Sequence, residues 1–158
     1  MLMRISLCYT AGIVGGLANS VFVWLSGHLG LSAALGIAIA PDLTGTWLYP
    51  RLAWGGLWGL PFVFAKIRPS WRTGVLISIA PSLVQLIVLF PAEPAAGLLG
   101  LGLGVLTPVF VSVANAVWSA TAVWWLRALS AEHDGPLVEA TRADLATFDV
   151  PMRNRGFR

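Results

Sequence analysis

Arg51 is the residue in this sequence whose side chain is the strongest candidate for a binding role. It stands near the start of an apolar stretch, residues 47–65, and follows Asp42 closely in the chain. A guanidinium binds a carboxylate or a phosphate through two parallel hydrogen bonds. Two interpretations are open. Arg51 forms a salt bridge with Asp42 or contacts a lipid phosphate, or it anchors an anion at the mouth of a pathway.

Three amides lie within apolar stretches of their own. These are Asn19, Gln85 and Asn115. A buried amide needs hydrogen-bond partners, so each one either bonds to a neighbouring helix or lines a water-filled path.

His28 follows the first apolar stretch. An exposed imidazole at the edge of a membrane is the simpler interpretation. The alternative is a proton relay with Asp42 and Glu93, because histidine titrates near neutral pH. Together with Arg51, Asn19, Asn115 and Gln85, the residues His28 and Asp42 form the candidate polar pathway or anchor.

Motifs of known enzyme classes are missing from the sequence. One cysteine and two histidines cannot supply zinc-type spacing. There is no P-loop, no G-x-G-x-x-G and no G-x-S-x-G elbow. We therefore predict no catalytic residues, no metal site and no enzyme activity, and the sequence identifies no cofactor.

Two long uncharged stretches must position these polar residues. With His28 neutral, residues 5–41 carry no charge, and neither do residues 94–126. As helices they would be about 55 and 50 Å long, whereas the hydrocarbon core of a bilayer is about 30 Å thick. The chain is 57% hydrophobic and 11% charged, with a mean hydropathy of +0.79. This composition predicts a multi-pass membrane protein, because ordinary soluble domains are about a quarter charged.

Four spans account for most of the apolar sequence. They cover about residues 5–27, 47–65, 73–90 and 105–126, so the fold class is all-α, an integral membrane bundle of four transmembrane helices. Five basic residues then fall at one face of the membrane: Arg4, Lys66, Arg68, Arg72 and Arg127. The positive-inside rule puts both termini in the cytoplasm, and a bacterial inner membrane is expected. Because topology explains the net charge of +3, no nucleic-acid partner is predicted.

Two short apolar segments remain between the spans, residues 29–40 and 95–104. They are too short to cross a bilayer and are predicted to be re-entrant or interfacial, on the outer side.

The chain also resembles itself. Gly12, Ala18 and Ser20 in the first span align with Gly74, Ala80 and Ser82 in the third. Further along, Leu43-Thr44-Gly45 aligns with Leu106-Thr107-Pro108, and Trp54 with Trp118. We predict two tandem two-helix repeats, residues 1–66 and 67–127, related by an axis along the membrane normal.

The last part of the chain, residues 128–158, holds most of the acidic residues. It is predicted to be a cytoplasmic tail that is amphipathic or disordered, following a transmembrane domain of residues 1–127.

Three functions fit these patterns. The favoured one is a non-catalytic membrane subunit or scaffold, because small residues such as the pairs Gly12/Gly16 and Gly55/Gly59 allow close helix packing. Its partners would be the lipid bilayer, other membrane subunits or a second copy. The alternative is a small channel or transporter for an ion or small solute, formed between the two halves. A third is an enzyme acting on lipid or quinone.

Overall fold

The structure is a computed structural model that describes residues 1–65 and 69–133. In chain order, its helices are α1 Leu2–His28, α2 Leu31–Ala34, α3 Gly45–Gly59, a first 3₁₀ helix Leu60–Phe64, α4 Trp71–Val84, a π-helix Gln85–Leu89, α5 Phe90–Ala92, a second 3₁₀ helix Leu98–Leu103, and α6 Thr107–His133. No strand occurs in these described parts, so the predicted all-α class is confirmed for them.

Three helical segments are long and apolar enough to cross a membrane: Leu2–His28, Trp71–Ala92 and Thr107–Ser130. They correspond to the first, third and fourth predicted spans and are compatible with a membrane protein. The bundle of four spanning helices is not confirmed, nor is the duplication.

The second predicted span, residues 47–65, is divided between two kinds of helix. α3 has 15 residues and gives way at Leu60 to a 3₁₀ helix with a proline near its start. That proline, Pro61, has no amide hydrogen to continue the α-helical bonding. By itself α3 is about 22 Å long, which is shorter than a bilayer core of about 30 Å.

α6 is longer than the predicted fourth span and continues to His133. Arg127 ends the apolar run, but nothing there stops a helix, and the next residues are good helix formers. The remainder of the predicted tail, residues 134–158, lies outside the described residues.

α1 is central in the bundle. It packs against α3 on one side and α6 on another, and α4 packs on α6, so the helices lie in the order α3, α1, α6, α4. Glycines make the α1–α3 approach possible. A Cβ at Gly12 would overlap the carbonyl oxygen of Gly55 and lie 2.9 Å from the Cα of Gly59. The two backbones therefore touch, as the G-x-x-x-G spacing predicts.

Two apolar clusters fill the bundle at different heights. The lower cluster consists of Cys8, Ala11, Phe62, Trp118, Ala122, Val123 and Leu126. The upper cluster consists of Val23, Ile37, Phe110 and Ala114. Between the two clusters, α1 contributes the buried polar residues Asn19 and Ser20 and α6 contributes the buried Asn115, and the candidate site lies at that level.

The two short apolar segments meet at the upper end of the bundle. The amide of Ala38 donates to the carbonyl oxygen of Leu103 at 2.7 Å. Ile37, 3% exposed, belongs to the upper cluster, so the first segment is held against the bundle by burial as well as by backbone bonding. Positive φ angles at Gly30 and Gly36 turn the chain there, a conformation that glycine adopts readily.

Arginines mark the opposite, lower end. Arg4 donates to the carbonyl oxygen of Ala65. Arg127 donates to that of Pro69 at 3.4 Å and lies over the ring of Trp71, 5.9 Å from its centre. The start of α1, the end of the apolar part of α6 and the start of α4 therefore share one end of the bundle.

Candidate polar site between the helices

Arg51 extends from α3 toward α1. Its Nη2 donates to Oδ1 of Asn19 at 2.6 Å, and its Nε donates to Oγ of Ser20 at 3.1 Å. The guanidinium carbon lies 4.6 Å from the centre of the Trp47 ring. Trp47 and Arg51 are one helical turn apart, which places them on the same face of α3. The helix start is fixed by Thr44, whose hydroxyl accepts from the amide of Trp47 at 3.3 Å.

Further hydrogen bonds continue from Asn19 across the other two helices. Its Nδ2 lies 3.5 Å from Oδ1 of Asn115 on α6, a long bond, and Nδ2 of Asn115 donates to Oγ of Ser82 on α4 at 3.1 Å. Ser82 in turn donates to the carbonyl oxygen of Ser78 at 2.8 Å. We call Arg51, Asn19, Asn115 and Ser82 the polar row. It joins four helices, and every bond in it donates away from the arginine.

The polar row is buried apart from its charged end. Asn19, Asn115 and Ser82 are 7%, 7% and 8% exposed, whereas Arg51 is partly buried. Buried amides and hydroxyls are costly unless they are hydrogen-bonded. The neutral members of the row meet that requirement with each other.

The positive charge of Arg51 has no carboxylate partner among the described residues. A guanidinium has five N–H groups. Two of them donate to Asn19 and Ser20, which leaves three without a partner in the described part of the chain. The salt bridge between Arg51 and Asp42, one interpretation of the sequence, does not form here.

Two cavities adjoin the polar row. The first has a volume of about 200 Å³ and lies between α3 and α4, with Asn19, Asn115 and Trp118 on its floor. The second, about 340 Å³, lies above it beneath the segment 38–41, beside Trp47 and Phe110. Asn19, Arg51 and Gln85 line both, so the guanidinium stands where the cavities adjoin.

Gln85 reaches this position from a π-helix. It is the first residue of the segment Gln85–Leu89, one turn after Pro81 in α4. A proline within a helix removes a backbone donor, and single π turns are frequent at functional sites. Within the described residues the Gln85 side chain has no hydrogen-bond partner, so its amide is available at both cavities.

His28 and Asp42 do not belong to this site. His28 stacks on Trp24, with ring centres 5.2 Å apart, and Asp42 is exposed in the connection between α2 and α3. Neither lines either of these two cavities. The structure therefore brings together Arg51, Asn19, Asn115 and Gln85 but not the other two candidates.

The sequence interpretation missed three members of the site: Ser20, Trp47 and Ser82, the last of which accepts from Asn115. Ser20 accepts from Arg51, and Trp47 covers one face of the guanidinium. The position of Ser20 beside Asn19 on the same helix was the available signal for the serine. The spacing of Trp47 and Arg51 by one turn was the signal for the tryptophan.

No family model, curated protein or solved structure matches this chain. The chemistry of the site must therefore be derived from its own groups. Among the described residues no cluster of three His, Cys, Asp or Glu could hold a metal ion. The site instead offers a permanent cation, an amide with free donors and a mostly apolar wall, which suits the binding of a small polar or anionic molecule.

Proposed function

We propose that this chain is a four-pass membrane protein that forms a small channel or transporter for an ion or small solute between two pseudo-symmetric halves. One observation carries the proposal. The polar row crosses all four helices and adjoins two cavities, instead of being enclosed in dry packing. Polar groups at membrane depth are expensive and usually mark the path of a solute or ion.

The fourth span in this proposal is α3 with the 3₁₀ helix that follows it. Together they cover residues 45–64. At about 1.5 Å per α-helical and 2.0 Å per 3₁₀ residue they reach roughly 32 Å. That length matches a hydrocarbon core of about 30 Å.

The proposed orientation follows from the lower end of the bundle. Arg4, Arg72 and Arg127 belong to this end, and the connection there also contains Lys66 and Arg68 in the sequence. The positive-inside rule then puts this end and both termini in the cytoplasm of a bacterial cell. The second cavity would face the other side of the inner membrane.

Paired contacts support the proposed repeats, residues 1–66 and 67–127. Arg51 donates to Ser20 at 3.1 Å, and in the second half Asn115 donates to Ser82 at 3.1 Å. These pairs occupy corresponding places, since Ser20 aligns with Ser82 and each donor precedes the aligned Trp54 or Trp118 by the same interval.

Glycine contacts repeat in the same way. Gly12 approaches Gly55 and Gly59, while the aligned Gly74 approaches Ser119 and Val123. The symmetry is broken in the middle. α1 packs on α6, whereas the corresponding pair, α4 and α3, is separated by the first cavity. The first cavity therefore lies between α3 and α4 at the place that corresponds, in the proposed repeat, to the contact between α1 and α6.

The two short apolar segments would cover the second cavity. Ala38 and Leu103 both line it and are joined by a backbone hydrogen bond. We propose that these segments, residues 29–40 and 95–104, are re-entrant or interfacial and lean on protein, as non-helical backbone near the membrane requires.

The scaffold hypothesis receives less support. It drew on small residues, but Gly12, Gly55 and Gly59 contact each other inside the chain and are not available to a partner. The large apolar residues that α4 exposes, such as Leu76 at 68%, are what contact with lipid requires. An enzyme acting on lipid or quinone would need His28, Asp42 and Arg51 in one pocket, and the arrangement of these residues does not favour it.

Solute flux tests the proposal. The purified chain is reconstituted in phosphatidylcholine liposomes, and recovery from osmotic shrinkage is followed by light scattering with glycerol, urea, potassium chloride and potassium phosphate, with valinomycin in the salt experiments. We expect at least one probe to enter faster than in protein-free liposomes. Asn115→Leu should slow it. Ser112→Leu, on an exposed face of the same helix, is the matched control and should not. A folded protein that passes none of the probes, or equal flux in both variants, would contradict the proposal.

A further inference from the structure

We infer that the first cavity binds a small amphiphilic anion, whose carboxylate or phosphate is held by Arg51 and whose apolar or aromatic body lies among the tryptophans. The inference deepens the proposed function by naming the class of solute, and it rests on that function only for the role of the bound molecule.

Arg51 determines the anionic end. Its Nε and Nη2 are each engaged with a neutral oxygen, of Ser20 and Asn19, and the unpartnered N–H groups remain at the Nη1 and Nη2 end. An oxyanion can accept two parallel hydrogen bonds from such an end. Because an unpaired charge at membrane depth is costly, an anion bound there also removes an existing penalty.

Neighbouring donors favour an oxyanion over a halide. The amide of Gln85 has no partner in the described residues and lines the same cavity as Arg51. An amide N–H and a guanidinium together suit a group with several acceptor oxygens. No carboxylate of the described residues lines either cavity to repel it.

The apolar part of the lining determines the apolar end. Trp54, Trp58 and Trp118 line the first cavity, together with Val84 and Leu89. The volume is about 200 Å³, and an engineered cavity of about 150 Å³ is known to hold benzene. The cavity is therefore large enough for one aromatic ring or a short aliphatic chain that bears an acidic group.

Fluorobenzoate and fluorobenzamide make a suitable pair of probes, because they share shape and differ in charge. Binding to the full chain in phosphatidylcholine nanodiscs is measured from the broadening of the ¹⁹F NMR signal. We expect the benzoate to bind and the benzamide to bind at least about tenfold more weakly, since it loses charge-assisted hydrogen bonds.

Variants locate the binding. Arg51→Gln should weaken fluorobenzoate binding by about tenfold to a hundredfold, whereas Arg127→Gln, at the lower end of the bundle, should leave it unchanged. Should Arg51→Gln fail to fold, Asn19→Asp provides the second variant. It puts a carboxylate beside the guanidinium and should abolish binding while keeping the fold. Equal binding of acid and amide, or full binding after either substitution, would overturn the inference.

The same chemistry could come from a dissolved carboxylate or from a lipid headgroup. Nanodiscs that contain phosphatidylglycerol distinguish the two. If this lipid displaces fluorobenzoate, the anion site exists and its natural ligand is a lipid headgroup. If fluorobenzoate binds equally well in its presence, the anion site exists and its natural ligand is a dissolved solute. Flux of a neutral solute by a protein that binds no fluorobenzoate would overturn this inference and leave the proposed passage intact. Binding of fluorobenzoate without flux of any probe would overturn the proposed passage and leave this inference intact.

Discussion

Nη2 of Arg51 lies 2.6 Å from Oδ1 of Asn19, and this bond ties α3 to α1 at the level between the two apolar clusters. The partner of the charge is an uncharged amide. A hydrogen bond to a charged group contributes about 1.5–3 kcal/mol, but an amide does not neutralise a guanidinium. The site therefore keeps a net positive charge, and its behaviour should depend on what replaces Asn19.

Asn19→Leu should lower the free energy of unfolding, whereas Asn19→Asp should keep or raise it. Leucine removes the acceptor of a partly buried charge and should cost about 1–3 kcal/mol. Aspartate keeps the acceptor for Nη2 and adds a negative charge beside the guanidinium, a gain that should outweigh the loss of the long bond from Nδ2 to Asn115, so its unfolding temperature should equal or exceed that of the wild type. Thermal unfolding in detergent, followed by tryptophan fluorescence, measures both. A destabilised Asn19→Asp protein would mean that the positive charge at Arg51 is already compensated.

Gly12→Ala should destabilise the bundle. The added methyl group would overlap the Gly55 carbonyl oxygen and lie 2.9 Å from the Cα of Gly59, both of which are backbone atoms. Forcing α1 and α3 apart should cost about 1–3 kcal/mol. Gly45→Ala is the matched control, because there the new methyl group meets only the ring of Tyr49, which is 70% exposed and free to move. Equal stability of the two variants would show that the α1–α3 contact is looser than the structure indicates.

Trp118→Phe should have a smaller effect on stability than a deletion of the ring. The substitution removes the hydrogen bond from Nε1 to the carbonyl oxygen of Gly12, 3.0 Å long and buried. It also leaves a small void in the lower cluster. We expect a loss of about 1–2 kcal/mol in the free energy of unfolding. Trp124→Phe, at a residue that is 56% exposed, should change it little. If both cost the same, the Trp118 bond contributes nothing to stability.

Much of the fold could be predicted from apolar length alone. The predicted spans in α1, α4 and α6 are long uncharged runs, and a run of this kind has few alternatives to a helix if it is to cross a membrane. The division at Leu60 could not be predicted in the same way. A proline within an apolar run can kink a helix or end it, and which occurs depends on packing. Here Phe62, 1% exposed, is part of the lower cluster, so that segment is held by burial.

The candidate site was predictable only in part. Asn19, Arg51, Asn115 and Gln85 stand out because polar side chains are rare in apolar helices. Their convergence depends on helix rotation and order, which no local pattern specifies. His28 and Asp42 stand out for the same reason but lie in or beside a connection whose course is set by glycines with positive φ, at Gly30 and Gly36.

Reporter fusions should distinguish four spans from three. Green fluorescent protein fused after Arg68 or at the C-terminus should fluoresce, because both sites are expected in the cytoplasm. Alkaline phosphatase fused after Asp42 or after Glu93 should be active, because both sites are expected outside. Active phosphatase after Arg68 would mean that α3 and the following 3₁₀ helix do not cross the membrane.

The most direct test of the polar site is the reactivity of a single cysteine at Gln85. The native Cys8, 2% exposed, is first replaced by alanine. Gln85→Cys is then compared with Val88→Cys, which lies in the same π-helix and is 58% exposed on the outside of the bundle. The probe is a membrane-impermeant methanethiosulfonate added to intact proteoliposomes.

If water fills the cavities beside Arg51, the thiol at position 85 ionises and is modified, and an anionic reagent reacts faster than a cationic one because the guanidinium attracts it. The thiol at position 88 faces lipid and stays unmodified. A cysteine at position 85 that is as inert as the one at position 88 would contradict the account.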